Sequence, residues 1–219
     1  MSAREEFLNS VRAALGRNTG QSAAPAPPPR LSIPEIPPQL RIAMFRERLE
    51  ALGGVVHVVN SREQARGVAS EIVGQGPAVA SNSAVLREAG ITTLAGVLSG
   101  VLEEAALRQA CAAAACGITS AEYGLAETGT LVLRSSREEA RLISLLPPVH
   151  VALLPASRLI TGLDELFAAV PRPAQGSSSL VLITGPSRSA DIEMILVRGV
   201  HGPRVIHVIV LNEEPPTTR

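Results

Sequence analysis

Short apolar runs bounded by Gly, Pro and Ser alternate along this chain with stretches whose apolar residues recur every three to four positions. That alternation is the pattern of an α/β fold built on a parallel sheet. The runs Val181–Ile183 and Val205, Ile206, Val208, Ile209 and Val210 have no polar face, as expected of strands covered on both sides. Between them Ser189 reads as a helix N-cap, with Asp191 and Glu193 as first-turn acids that suit the helix dipole. Ile192, Ile195 and Leu196 form a stripe, Gly199 supplies a left-handed stop and Pro203 prevents the helix from resuming. Leu180 to Leu211 therefore predicts one βαβ unit. With about ten helical residues at 1.5 Å each, the Gly185–Ser189 turn and the Gly199–Pro203 turn should stand roughly 15 Å apart at opposite sheet edges.

Upstream, the same logic predicts a helix over 39–52 closed by Gly53-Gly54, a strand at Val55–Val59, and a helix from Ser61 to about Val73 in which Gln64 completes a capping box. A strand at Pro77–Ala80 runs into the polar turn Ser81-Asn82-Ser83, which opens another helix. Further on come a helix over 101–115, two strands flanking a loop between Ile118 and Leu133, a polar turn or short helix at Arg137–Ser144, a strand at Val149–Leu154 and a short helix at Leu163–Val170. Residues 1–38 stand apart as an amphipathic helix carrying Phe7, Leu8, Val11 and Leu15, stopped by Gly16 and followed by a proline-rich linker. Four apolar side chains do not offset the ordering of that helix alone, so it docks on the body, serves as a handle for another subunit, or stays mobile. The domain proper is then 39–213, with a short tail over 214–219.

Composition narrows the chemistry. At 219 residues and 46% hydrophobic content the chain fills one core plus an arm. Zero formal net charge and 2% aromatic content offer neither a basic footprint nor stacking platforms for nucleic acid. All 20 basic residues are arginine, which excludes a lysine Schiff base and a Walker-type phosphate loop but leaves guanidinium anchors for carboxylate or phosphate. Cys111 and Cys116 are too few for an iron–sulfur cluster or a zinc finger and read as buried thiols. No metal site is expected. With no secretory segment and no membrane-length apolar run, the expectation is a cytoplasmic protein.

Two stretches hold candidate chemistry. The loop Tyr123-Gly124-Leu125-Ala126-Glu127-Thr128-Gly129-Thr130 brings carboxylate, hydroxyls and glycine together. Glu127 can serve as general base or acyl-forming nucleophile, or cap a neighbouring turn; Thr128, Gly129 and Thr130 are ligand candidates beside it. A turn after a parallel strand lies at the carboxyl edge, where open α/β sheets bind ligands. Ser81 and Ser83 therefore read either as ligand contacts or as helix caps, and Gly185, Ser187, Arg188 and Ser189 as an anion cradle sharing a pocket with Glu127. Asp191 would either hold Arg188 or repel an anion. The histidines His57, His150 and His207 read as hydrogen-bonded structural groups, and His201 as a structural or interface residue at the opposite edge.

Three segments together, Tyr123 to Leu131, Ser144-Leu145-Leu146-Pro147-Pro148-Val149-His150, and Thr184 to Glu193 with Gly199-Val200-His201-Gly202-Pro203, resemble the LutC/YkgG family of LUD-domain proteins over roughly Gln39 to Asn212. The resemblance implies a three-layer α/β sandwich with a mostly parallel sheet, similar to the NagB/RpiA/CoA-transferase-like fold. It implies a cytoplasmic, non-redox component of a system oxidising L-lactate to pyruvate, with the iron–sulfur clusters in partner proteins and no cofactor on this chain. The related transferases suggest an alternative, a stand-alone acyl- or CoA-handling or small-anion-binding enzyme using Glu127.

Overall fold

The computed structural model describes residues 2–16, 34, 36–100, 103–172, 176–189 and 197–213. Of the linker expected over 17–38, residues 17–33 and 35 lie outside the described residues, as do the body of the expected helix over 190–196 and the tail from 214; Pro38 itself already opens a helix. The chain divides into two units, Met1–Leu31 and Ser32–Arg219. In the first, helix α1 (Ala3–Ala14) opens on a capping box: Ser2 Oγ accepts from the Glu5 amide at 3.3 Å, and the Glu5 carboxylate accepts from the Ser2 amide at 2.8 Å.

In the second unit, strands β1 (Val55–Val59), β2 (Ala78–Ala80), β3 (Val97–Ser99), β4 (Cys116–Ser120), β7 (Val149–Pro155) and β12 (Val205–Leu211) form one sheet in the order β1-β12-β7-β4-β2-β3. Every pairing in it is parallel. The period-2 alternation of strand side chains explains why the central runs are apolar throughout. Val59, Ile118, Val151, Leu153 and Ile209 face Ala65 and Ala69 of α3 (Arg62–Val73) and Leu86 of α4 (Ala84–Glu88). Their neighbours Val56, Ala152, Leu154, Val208 and Val210 face Phe45 and Leu49 of α2 (Pro38–Ala51), together with Leu131, Leu133 and Leu159 of a second sheet. That sheet joins β8 (Leu159–Ile160), β5 (Tyr123–Leu125), β6 (Thr130–Arg134) and β9 (Leu180–Ile183) in the order β8-β5-β6-β9. Helix α5 (Glu104–Ala113) packs Cys111 against Val79 and Ile143, and α6 (Leu163–Ala169) packs Leu166 against Leu125 and Val132.

The result is a three-layer α/β fold on a parallel sheet, one outer layer of which is part helix and part sheet. Ser61 caps α3 as expected, its Oγ accepting from the Gln64 amide at 3.3 Å, while the Gln64 side chain accepts from Asn60, one residue before the cap, at 2.9 Å.

The βαβ expectation for 180–211 fails. Strand β9 is no neighbour of β12; it pairs antiparallel with β6, Leu131 opposite Ile183. It closes one edge of the second sheet, which leaves Leu182 exposed. The N-cap expected at Ser189 depends on residues 190–196, outside the described residues; β10 (Arg188–Ser189) pairs antiparallel with β11 (Val197–Arg198). Gly199, at φ +82, follows a strand and not a helix.

Candidate functional site

The antiparallel β10–β11 pair removes the separation expected between the two flanking turns. The Ser187 amide donates to the Pro203 carbonyl at 3.0 Å, the Gly199 amide to the Ser187 carbonyl at 3.0 Å, and the His201 amide to Ser187 Oγ at 3.4 Å. Gly185, Ser187, Arg188 and His201 thus line one hollow of about 290 Å³, together with Ser144 and Ile206. His201 stands beside the Gly185–Ser189 turn and not across the sheet from it. The Arg188 guanidinium donates to the Leu52 carbonyl at the end of α2, where a cation also suits the helix dipole. Asp191 lies outside the described residues.

Glu127 does not reach this hollow. It is exposed, and lines a separate one of about 220 Å³ with Thr161, Asp164 and Glu165. Glu165 accepts from the Thr161 amide at 2.7 Å and meets Arg41 at 3.5 Å. Thr128, Thr130 and Thr184 form a hydroxyl chain, 2.6 Å and 2.8 Å per link, which ties the Glu127 loop to the end of β9. Gly129, at φ +65, serves packing: a β-carbon there would stand 2.5 Å from the Leu49 amide nitrogen.

Ser81 and Ser83 belong to a third place, the cleft at the carboxyl ends of β2 and β4. The connection after β2 leads to β3 on one side, and the connection after β4 leads to β7 on the other. A crevice where the connections part in this way is the usual ligand position of an open α/β sheet. The cleft, about 450 Å³, is lined by Ser83, Ser120, Glu122, Arg134, Glu139 and Arg158, among others.

Glu139, in the segment expected as a polar turn, lines its inner part. Ser136 Oγ accepts from the Glu138 and Glu139 amides at 3.2 and 3.0 Å, and the Asn82 amide donates to the Glu138 carbonyl at 2.9 Å. These bonds pin the Ser136–Glu139 turn against the Ser81–Ser83 turn. Glu139 Oε1 accepts from the Ser120 amide at 3.0 Å and from Ser120 Oγ. Burial pushes the carboxyl above its usual range, and the Ser120 bonds, with the nearby Ser81 and Ser83 hydroxyls, offset part of that shift.

Ser81 and Ser83 are buried, at 0% and 8% exposure, and face this carboxylate without closing a hydrogen bond to it. Nor does either cap α4; Ser83 occupies the N-cap position with no side-chain bond to the helix. Buried hydroxyls without partners are uncommon in folded proteins. At the mouth, Arg134 is neutralised by Glu122 at 2.6 Å. The Arg158 guanidinium lies 5.5 Å from the centre of the Tyr123 ring and makes no ion pair among the described residues.

The histidines and thiols behave as structural groups. His150 is fully buried, its Nε2 is 2.8 Å from Thr119 Oγ1, and burial pushes its pKa down to about 4. Both cysteines are free and buried; burial pushes Cys116 up to about 12.

A family model described as the LUD domain matches residues 42–211. The chain belongs to the LUD domain family. The matched residues include all the lining of the Glu139 and Arg188 hollows and, Pro34 apart, that of the Glu127 hollow. It is 43% identical over 101 residues to lactate utilization protein C of Bacillus licheniformis, and 45% identical over 101 residues to that of Bacillus subtilis; each match covers 44% of this chain and 42% of the relative. The same-named protein of Anoxybacillus flavithermus is 44% identical over 97 residues, 44% of each chain. The matched segments thus span under half the length of these relatives. Among solved structures, a DUF162 family protein from Deinococcus radiodurans shares the fold, with TM-score 0.61 at 20% identity over 81% of this chain and 99% of that one. No helix among the described residues is long and apolar enough to cross a membrane.

Within this LUD domain, the sequence points to Ser81 and Ser83 at this cleft and gives no comparable sign of Ser120, Arg134 or Arg158. The signal for Glu139 was present as Ser136-Arg137-Glu138-Glu139, a hydroxyl followed three residues later by glutamate.

Proposed function

We propose that this protein takes part in cytoplasmic L-lactate utilisation, as a component that supplies a small-molecule site while iron–sulfur partner proteins carry the electrons. The observation that carries the reading is the LUD domain itself, shared at 43% identity over the matched segment with proteins named for lactate utilisation. The chain's own thiols support the division of labour. Cluster ligation needs thiolates, normally four of them, whereas two thiols are present and burial holds both protonated.

The alternative of acyl or CoA handling through Glu127 draws less support, because an anionic substrate at that hollow would meet Asp164 and Glu165 as well. Deleting the gene in its host and growing the strain on L-lactate as sole carbon source tests the reading. Growth should fail and return with the wild-type gene, and affinity capture of the chain should recover iron–sulfur proteins. Unimpaired growth of the deletion strain would overturn it.

A further inference from the structure

The cleft between β2 and β4 has a polarity of its own. At its inner end stands Glu139, whose Oε1 is occupied by the Ser120 amide and hydroxyl. Beside it the buried Ser81 and Ser83 hydroxyls bear on the same carboxylate but close no hydrogen bond of full geometry. Such an end calls for a ligand group that donates to a carboxylate and also exchanges hydrogen bonds with two serines. At the outer end the charge balance is reversed. Glu122 and Arg134 cancel one another, and Arg158, its guanidinium 5.5 Å from the centre of the Tyr123 ring, is the cleft cation without a carboxylate partner among the described residues. That end calls for an anion, and a planar guanidinium suits a carboxylate. A ligand that satisfies both ends carries a hydroxyl and a carboxylate.

We infer that this cleft is a binding site for a small 2-hydroxycarboxylate, its hydroxyl donating to Glu139 among Ser81, Ser83 and Ser120 and its carboxylate directed toward Arg158. The inference rests on the lactate-utilisation reading for its choice of probe and on the cleft alone for its donor and acceptor layout. The same layout sets a selectivity. A 2-oxo acid of the same size can accept from Ser81 or Ser83 but brings no proton for the Glu139 carboxylate, so the hydrogen bond to the charged acceptor is lost. A carboxylate with no oxygen at carbon 2 leaves the inner hydroxyls as they are. A site built to hold a hydroxyl discriminates strongly against analogues that lack it. The cleft, at about 450 Å³, is within the size range of small-molecule sites and accepts hydroxy acids longer than three carbons.

Titration calorimetry on the purified full-length chain, with L-lactate, pyruvate and propionate as probes, tests this directly. L-lactate should bind saturably, and pyruvate and propionate each about tenfold to a hundredfold more weakly, the range expected for losing a hydrogen bond to a charged acceptor. Glu139→Gln keeps an acceptor for Ser120 but places an amide donor toward the ligand, so it should weaken L-lactate and narrow or invert the lactate-to-pyruvate ratio. Arg158→Gln should weaken all three acids together and leave the ratio unchanged, an effect that a merely structural role would not separate from that of Glu139→Gln. Circular dichroism of both variants confirms folding. No saturable L-lactate binding by the wild type, or an unchanged ratio in a folded Glu139→Gln variant, overturns the inference. If binding fails while the deletion strain cannot grow on L-lactate, the site is wrong and the pathway role stands. If the selectivity holds while the deletion strain grows normally, the site stands and the pathway role falls.

Discussion

His57 and His207 stand side by side on β1 and β12, with Nε2 of one 3.2 Å from Nδ1 of the other and ring centroids 5.5 Å apart. Two neutral rings satisfy each other, one donating and one accepting, whereas a further proton on the acceptor ring sets two donors face to face. Burial lowers both pKa values. Arg46 adds to the effect at His57, against Glu71 and Glu50, and His57 itself adds to it at His207. His150 is lowered in the same direction, to about 4. Each of these groups binds its proton more weakly folded than unfolded, so its stabilisation is complete above the unfolded value of 6.5 and is lost as pH falls. The melting temperature should hold above about pH 7 and decline from 6.5 toward 4, with His150 alone accounting for on the order of 3 kcal/mol by the end. A His57→Gln, His207→Gln double variant should show a shallower decline at the start of that window. Thermal melts in a pH series are the measurement, and a flat wild-type profile down to pH 4.5 would contradict the assignment.

Glu139→Gln should raise stability at pH 7. The native carboxylate is destabilised by burial, and glutamine keeps its hydrogen bonds to Ser120 without the charge. A gain of about 1 kcal/mol, or roughly 2–4 °C in a chain of this size, is expected. With the folded pKa raised, the wild type is relieved of this cost as acid protonates it, so the gain should shrink toward pH 4.5. Paired melts at pH 7 and 4.5 measure the trend, and a variant less stable than wild type at both would refute it.

Gly129→Ala should destabilise the fold by about 2–3 kcal/mol, because φ +65 disfavours a β-carbon and that carbon would meet the α2 backbone. The lost stability should be the same with and without L-lactate present. Denaturant unfolding in both conditions checks it; a ligand-dependent difference would return Gly129 to the list of binding residues.

Phe45→Ala should cost about 3–5 kcal/mol, the usual range for a fully buried aromatic side chain. Phe45 fills the space between α2, the parallel sheet and the second sheet. Urea titration gives the value, and a loss below about 1 kcal/mol would show that α2 packs elsewhere.

Most of the parallel sheet was legible because its central strands are apolar for a simple reason: both faces are covered. Val55–Val59 and the run from Val205 to Val210 are read correctly from composition alone. The same criterion misled at Val181–Ile183. An edge strand of a covering sheet is as apolar as a central one, and its pairing with β6 depends on residues nearly fifty positions away. Gly199 misled for a related reason: it fits a helix stop locally, while the β10–β11 ladder that it follows is not local. Of the site, Ser81 and Ser83 were visible as hydroxyls after a strand. Glu139 was hidden because its turn, with Arg137 and Glu138, has the composition of solvated surface, and the groups that draw it inward, Ser120 and the Asn82 amide, are far away in the chain.

The strand order also decides when the sheet can be completed. Strand β1 has a single neighbour in it, β12, and the two histidines that mark their pairing are 150 residues apart in the chain. During synthesis β1 must therefore wait, one edge unsatisfied, until the last strand of the sheet emerges and inserts between it and β7. Folding of this domain is bound to be late and slow, dominated by distant contacts. In the interval the apolar pair Val55-Val56 is exposed to aggregation or chaperone capture. The final insertion of β12 is the event that converts a collection of local helices and hairpins into one cooperative body.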